Sequence, residues 1–173
     1  MAKITVNTTG TFPSLYLSTD LTTFTGSQAE YAGLDLLPVT CLTDVTINNS
    51  TGIYSFVDFC SADMQKLTTP ADNSIDSNIV LDATEFFGDP THTPNTGAPF
   101  YGVNGLSSNK IEVQFVLVMN GDDTVTYGIA KQYYQGKGFI TSIAPTVNPD
   151  APVWVSPIAI AVTGSFTQGI TTA

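Results

Sequence analysis

The chain contains no arginine, and its five basic residues are all lysines. Against them stand 15 acidic residues, so the formal net charge is −10. Tight binding of nucleic acid needs cations that neutralise phosphates, and base recognition relies heavily on guanidinium groups. The sequence therefore argues against a protein that grips DNA, although an acidic protein can lie beside DNA and repel it.

Charge of either sign is scarce. Charged residues make up 12% of the chain, about half the usual share, whereas 42% of its 173 residues are hydrophobic, enough for the core of one domain. Burying Thr or Asn against a partner costs less desolvation than burying ions. The composition predicts a single domain over residues 1–173 with a surface suited to extensive subunit contacts.

Residue types that carry chemistry are few as well. The single histidine, His92, lies in a proline-flanked loop, with no second ligand at a metal-binding spacing. No Gly-x-Ser-x-Gly turn and no phosphate-binding glycine pattern is present. The spacing of Asp72, Asp76 and Asp82 does not place two carboxylates opposite a shared substrate. We therefore predict no enzymatic activity, no bound metal and no cofactor.

Long apolar runs are also missing. No segment approaches the roughly 18 apolar residues of a membrane span, and the N-terminal residues do not follow a signal-peptide pattern. We expect synthesis in the cytosol and no membrane insertion. In that reducing compartment, Cys41 and Cys60 are expected to be reduced, buried residues and not a disulfide.

The most frequent pattern in the sequence is an alternation of apolar and polar residues with a period of two, which is the period of a pleated strand. Over residues 111–119, side chains such as Val113 and Phe115 share one face. A polar, glycine-bearing turn follows at residues 120–123, and a second alternating stretch covers residues 124–129. This pattern predicts a β-hairpin.

Two further strands are predicted in the second half, at residues 139–144 and 153–162. The glycines of residues 136–138 are expected to form the turn that precedes the first of them. Pro157 has no N–H to donate, so it favours an edge or a bulge in the second, and Gly164 is expected to end that strand.

The first half is less regular, and its weaker strand signals lie at residues 4–8, 12–18, 45–47, 53–59 and 79–87. Residues 53–59 are apolar on both faces, which indicates either a core layer on each side or a face covered by a neighbouring subunit. Residues 19–39 and 88–109 are predicted to be extended loops. At most one short helix is expected, at residues 61–67. The fold class is therefore all-β and mainly antiparallel.

Residues 111–170 carry a sequence of features that matches a known family. The features are the predicted hairpin, the run from Thr124-Val125-Thr126-Tyr127 to Tyr133-Tyr134, the segment Gly138-Phe139-Ile140-Thr141-Ser142-Ile143-Ala144-Pro145, and the closing Ala161-Val162-Thr163-Gly164-Ser165-Phe166. In this order they resemble the tail tube proteins of long-tailed bacteriophages.

The resemblance implies a β-sandwich or partly open β-barrel whose inner sheet joins those of its neighbours in a six-membered ring. Such rings stack into a hollow tube through which DNA passes into the host. The implied partners are further copies of the chain, other tail proteins such as the tape measure, baseplate or terminator protein, and passing DNA that is not gripped. The implied location is the tail of the virion, after synthesis in the host cytoplasm.

Four residues are candidates for roles in such an assembly. Asp122 and Asp123, at the tip of the predicted hairpin, are expected to face the lumen or the next ring. Tyr133 and Tyr134 have too few lysines around them to serve as a stacking platform for bases, so they are expected at a sheet or subunit boundary.

Two other interpretations stay open. A capsid decoration or tail-completion protein is also β-rich and self-associating, but forms trimers on a shell or one terminal ring. A β-sandwich binding module, for example for carbohydrate, is disfavoured by the presence of only one tryptophan.

Overall fold

The computed structural model describes residues 14–19, 37–39, 42–57, 64–88, 101–119, 132–147, 150 and 153–170. Its elements are, in chain order, β1 (Ser14–Ser18), β2 (Leu37–Val39), β3 (Leu42–Val57), β4 (Met64–Val80), α1 (Ala83–Phe87), α2 (Gly102–Ser108), β5 (Glu112–Val118), β6 (Gln132–Ile143) and β7 (Val155–Ile170). The seven strands form one antiparallel sheet in the order β2-β1-β5-β6-β7-β4-β3. The expected all-β, mainly antiparallel fold is confirmed.

The sheet curls almost onto itself. Its two edge strands, β2 and β3, are neighbours in sequence, and three Cα–Cα steps from Val39 to Leu42 span at most about 11 Å. Six strand spacings in a flat sheet would separate those edges by about 29 Å. Val39 and Leu42 also lie in the same core. The sheet is therefore a partly open barrel, as the sequence resemblance implies.

The core lies on the concave face of this sheet. Alternate residues of β5, including Phe115 and Leu117, point into it, and both helices cover it through Phe86, Val103 and Leu106. The opposite face carries a smaller cluster, whose members are Tyr16, Val116, Val118 and Tyr133. Strand β5 is thus buried on both sides, which explains why its sequence becomes apolar on both faces.

The first strand of the predicted hairpin is confirmed as β5, which pairs antiparallel with β6 and is joined to it by a bond of 2.9 Å from Met119 N to Gln132 O. The expected return strand at residues 124–129 lies outside the described residues. Residues 136–138, predicted as a turn, are instead part of β6. A Cβ at Gly136 would lie 2.8 Å from the ring of Phe115, and one at Gly138 would meet the carbonyl of Ala161. These glycines make room for packing and do not form a turn.

Strand β7 is central and longer than predicted. Pro157 lies in a gap of the β6–β7 pairing, between Ile158 and the bridge at Val155, so its missing N–H costs no bond to β6. Ser156 Oγ accepts a bond of 3.1 Å from Ala144 N across this gap. The predicted edge or bulge at Pro157 is not present: β7 is not an edge strand, and the nearest register shift lies opposite Ile160 and Ala159. Gly164 does not end the strand, which continues to Ile170.

The helix predictions need correction. Two short helices are present among the described residues where at most one was expected. The stretch 79–87 is not one strand, because Asp82 Oδ1 accepts bonds from Thr84 N at 2.8 Å and Glu85 N at 3.2 Å and so starts α1. The predicted loop at 88–109 contains α2.

In the first half, the strand predicted at 45–47 and the described part, residues 53–57, of the strand predicted at 53–59 both belong to the single strand β3. The helix predicted at 61–67 is wrong over its described part, because residues 64–67 begin β4. The strand at 12–18 is confirmed as β1 from Ser14 onward. The loop predicted at 19–39 is wrong at its end, because residues 37–39 form β2, which pairs with β1. The strand predicted at 4–8 and residues 20–36 of that loop lie outside the described residues.

Candidate self-association surface

A two-stranded arm leaves the barrel. Strand β4 pairs with β7 only from Asn73 to Val80, whereas its earlier residues, 64–72, pair with β3 alone. We use "the arm" for the outermost part of this ribbon, residues 53–57 of β3 and 64–68 of β4, in which Ile53 lies opposite Thr68. The arm is therefore supported by no third described strand.

A bulge marks the base of the arm. Between the pairs Thr51–Ala71 and Ile53–Thr68, one residue of β3 faces two of β4. The additional residue is accommodated beside Pro70, which has no N–H for the ladder, and a Cβ at Gly52 would collide with the side chain of Thr69. Proline and glycine thus do not end the ribbon here, but kink it.

The arm is apolar on both faces and exposed. Its large apolar side chains are between 58 and 66% exposed, and they are Ile53, Tyr54, Val57, Met64 and Leu67. Tyr54 and Phe56 stack with ring centroids 6.1 Å apart. A two-stranded ribbon without a covered face is marginally stable in water, and exposed apolar patches of this kind mark interaction surfaces. A partner that covered these side chains would therefore stabilise the arm.

Where the arm departs, the sheet forks. Gly164 has a φ of 89°, a conformation that favours glycine, and Asn73 Nδ2 donates a bond of 2.9 Å to its carbonyl oxygen. Beyond this point β4 continues with β3, and β7 continues with β6. Along residues 64–72 and 163–170, the two diverging strands have no described neighbour on their facing edges. Such edges are templates for pairing with another chain.

A second apolar patch lies at the other end of β4. We call it "the far-end patch", and its residues, between 41 and 53% exposed, are Val147, Val153, Trp154 and Val155. Backbone bonds hold it in place: Thr146 N donates to Val155 O at 2.8 Å, and Leu81 N donates to Trp154 O at 2.9 Å. No sequence pattern points to this patch, because Val147 and residues 153–155 lie on either side of a turn.

The ribbon below the arm carries a polar ladder on the sheet face away from the core. Asn48 Nδ2 donates to Asp76 at 2.6 Å, and Asn78 Nδ2 donates to Asp44 at 2.8 Å. A depression of about 600 Å³ lies beside them, and Thr46, Ser142 and Pro157 are among the residues that line it. Of the carboxylates considered as a hydrolase set, Asp76 belongs to this ladder and Asp82 caps α1.

The predicted interface tyrosines lie next to each other on β6 but point to opposite faces. Tyr133 is buried in the smaller cluster with Val116 and Val118. Tyr134 is half-buried and packs edge-on against Phe166, with ring centroids 6.2 Å apart. Both contribute to packing within the subunit, and their contact with a neighbour stays a prediction.

The other predicted residues, Asp122, Asp123, His92, Cys41 and Cys60, lie outside the described residues. Within the described ranges, no group of three or more His, Cys, Asp and Glu side chains is arranged to hold a metal ion. The described helices are also too short to cross a membrane.

Comparison with known proteins gives structural but no sequence matches. No protein-family model matches the chain, and no curated protein does. The fold aligns with a chain from the virion of a native gene transfer agent particle at 14% identity and a TM-score of 0.47, over 90% of this chain and 95% of that one. It also aligns with a chain from the tail of an empty gene transfer agent particle, refined with C6 symmetry, at 14% identity and a TM-score of 0.48, with the same coverage. A chain from the six-fold symmetrised baseplate of an anti-feeding prophage aligns at 4% identity and a TM-score of 0.48, over 98% of this chain and 97% of that one.

Proposed function

We propose that this chain is a structural subunit of a phage-type tail, which assembles with copies of itself into stacked hexameric rings that form the tail tube. The tube is a conduit for DNA delivery, and the subunit resides in the virion. Its partners are its own copies and the other tail proteins that start, measure and end the tube.

One observation carries this proposal: the partly open barrel has an exposed, apolar two-stranded arm and, where the sheet forks, strand edges beside which no further strand is described. A solitary soluble protein normally blunts such edges with charge or covers them. Here the only charged side chain among residues 53–57 and 64–68 is Lys66. Pairing these edges around a closed ring removes the risk of aggregation, because every strand edge then has a partner.

Charge agrees with a conduit that does not grip DNA. A ring of six chains at −10 each would carry a formal charge of about −60, and carboxylates at a lumen repel phosphates over a distance near the Debye length of about 8 Å. Asp122 and Asp123 remain our candidates for the lumen or the ring-to-ring face. Unchanged DNA delivery by particles in which both are replaced by Lys would remove them from that role.

Electron microscopy of the purified protein tests the proposal. Negatively stained samples, examined with and without a tail initiation complex as nucleus, are expected to show tubes of uniform width and six-fold end views. Trimers or single terminal rings would instead support a decoration or tail-completion protein. Particles that stay single under all conditions would exclude self-assembly.

A further inference from the structure

We infer that the far-end patch is the receptor for the arm of another copy, so that subunits in successive rings join head to tail. This inference rests on the proposed function, and it adds which two surfaces meet and in which direction. Both surfaces are apolar and exposed, and their exposed side chains are not part of the hydrophobic core.

The contact has to be between molecules. Strand β4 runs without interruption from Met64 in the arm to Val80, which pairs with Val155 of the far-end patch. Sixteen residue steps at about 3.3 Å each place the two surfaces on the order of 50 Å apart. An arm therefore cannot fold back on its own far-end patch, but the patch of a second copy is within reach.

The geometry also sets the kind of assembly. Because the arm and the far-end patch are different surfaces at opposite ends of one strand, their contact is heterologous. A heterologous contact that does not close into a ring propagates as an open filament. Repeated along the tube, it gives a stack in which all subunits point the same way.

Charge favours the same pairing. Lys66 is the one charged side chain of the arm, whereas the far-end patch is bordered by carboxylates. The bond from Leu81 N to Trp154 O brings the start of α1, with Asp82, next to the tryptophan, and Asp150 lies in the adjoining turn. A cation on one surface and anions around the other disfavour arm-to-arm and patch-to-patch contacts.

The test uses Trp154, the only tryptophan of the chain and 46% exposed in the isolated subunit. When tubes form, its fluorescence emission is expected to move to shorter wavelength, because an apolar arm covers the indole. The variant Val57→Ser/Met64→Ser removes the outermost described pair of the arm. Both side chains are exposed, so the variant should fold. We expect its yield of tubes to fall at least tenfold, and its Trp154 emission to stay at the wavelength of the free subunit.

The matched control is Ser55→Ala, on the same strand of the arm, which should assemble like the natural chain. Thermal unfolding of the unassembled subunits checks that all variants fold. A photoreactive p-benzoylphenylalanine at position 54 adds a direct measurement. Crosslinked dimers from tubes are expected to join this position to residues 147–155 of a second chain.

Two results would overturn the docking and leave the tube proposal intact. One is tubes of the natural chain in which Trp154 emission does not shift, and the other is crosslinks from position 54 to residues outside 147–155. Tubes formed at normal yield by Val57→Ser/Met64→Ser would overturn it as well. Failure of the natural chain to form tubes with any nucleus would overturn the proposed function itself.

Discussion

At the scale of single residues, Lys110 has the most unusual backbone. Its φ of 52° is the only positive value recorded for a non-glycine residue in the described part of the chain. It follows the C-cap of α2, where Lys110 N bonds to Ser107 O and Ile111 N bonds to Leu106 O, each at 3.1 Å. This is the Schellman arrangement, in which glycine usually holds the left-handed position.

We expect Lys110→Gly to raise the free energy of unfolding by up to about 1 kcal/mol. Relief of left-handed strain, about 1–2 kcal/mol, exceeds the backbone entropy that glycine adds to the unfolded chain, about 0.5–1 kcal/mol. Urea unfolding of the unassembled subunit measures the change. Lys110→Ala keeps the strained backbone, so it should give no gain. Equal stabilisation by alanine and glycine would show that the lysine side chain, not the backbone, was unfavourable.

The glycines of β6 show what a sequence pattern misses at this scale. Residues 136–138 have the composition of a turn, and no local sequence feature contradicts that assignment. Their role depends on Phe115 and Ala161, which lie on the two neighbouring strands and are brought close only by the register of the sheet. Local propensity predicts a break, and tertiary packing overrides it.

At the scale of elements, the two helices differ in how clearly the sequence predicts them. The spacing of Asp82 and Glu85 matches a capping pattern, so α1 was predictable from the residues that start it. Helix α2 contains Gly102 and Gly105, both poor helix formers. It is stabilised by tertiary contacts, with Val103 and Leu106 fully buried against the sheet, and no local signal reveals that burial.

The arm was partly predictable. Residues 53–59 are apolar on both faces, which left either a core layer on each side or a covering subunit. The exposure of residues 53–57 excludes the core layers, and cover by a neighbouring subunit stays a prediction. The length of β3 and β4 was not predictable, because residues 48–52 and 68–74, which continue these strands, are almost all polar and have no apolar face that would signal burial. The far-end patch combines Val147 with residues 153–155, and only the fold places these two segments beside the end of β4.

Asn73 stabilises the fork between β4 and β7. It is 2% exposed, and its amide donates to Gly164 O. We expect Asn73→Asp to lower the free energy of unfolding by about 1–3 kcal/mol, since a carboxylate of the same shape cannot donate this bond and is buried facing a carbonyl oxygen. The measurement is the urea midpoint of the unassembled subunit.

Its cross-strand neighbour Asn49 provides the control for that variant. Asn49 is exposed, so Asn49→Asp adds the same negative charge to the same ribbon at a cost within about 0.5 kcal/mol. If both substitutions destabilise equally, the cause is the net charge of the ribbon, and the bond at the fork contributes little.

At the scale of the whole molecule, the proposed assembly would bring together chains that repel each other. Each carries a formal net charge of −10, and the attraction of one Lys66 for the carboxylates around the far-end patch is small against it. The contacts that drive association are therefore the apolar ones, which added salt does not weaken, whereas the repulsion between chains is screened by salt.

We therefore expect tube formation to increase with ionic strength. Raising it from about 0.01 M to about 0.1 M shortens the Debye length from about 30 Å to about 10 Å, which removes most long-range repulsion between neighbouring subunits. Sedimentation of tubes from the free subunit measures the yield, with nucleus and protein concentrations held constant. Screening depends on ionic strength alone, so sodium chloride and sodium sulfate at matched ionic strength should act equally in this range. A larger effect of sulfate would identify strengthened apolar contact as the cause, and a yield that falls with salt would mean that ion pairs, not the apolar arm, hold the subunits together.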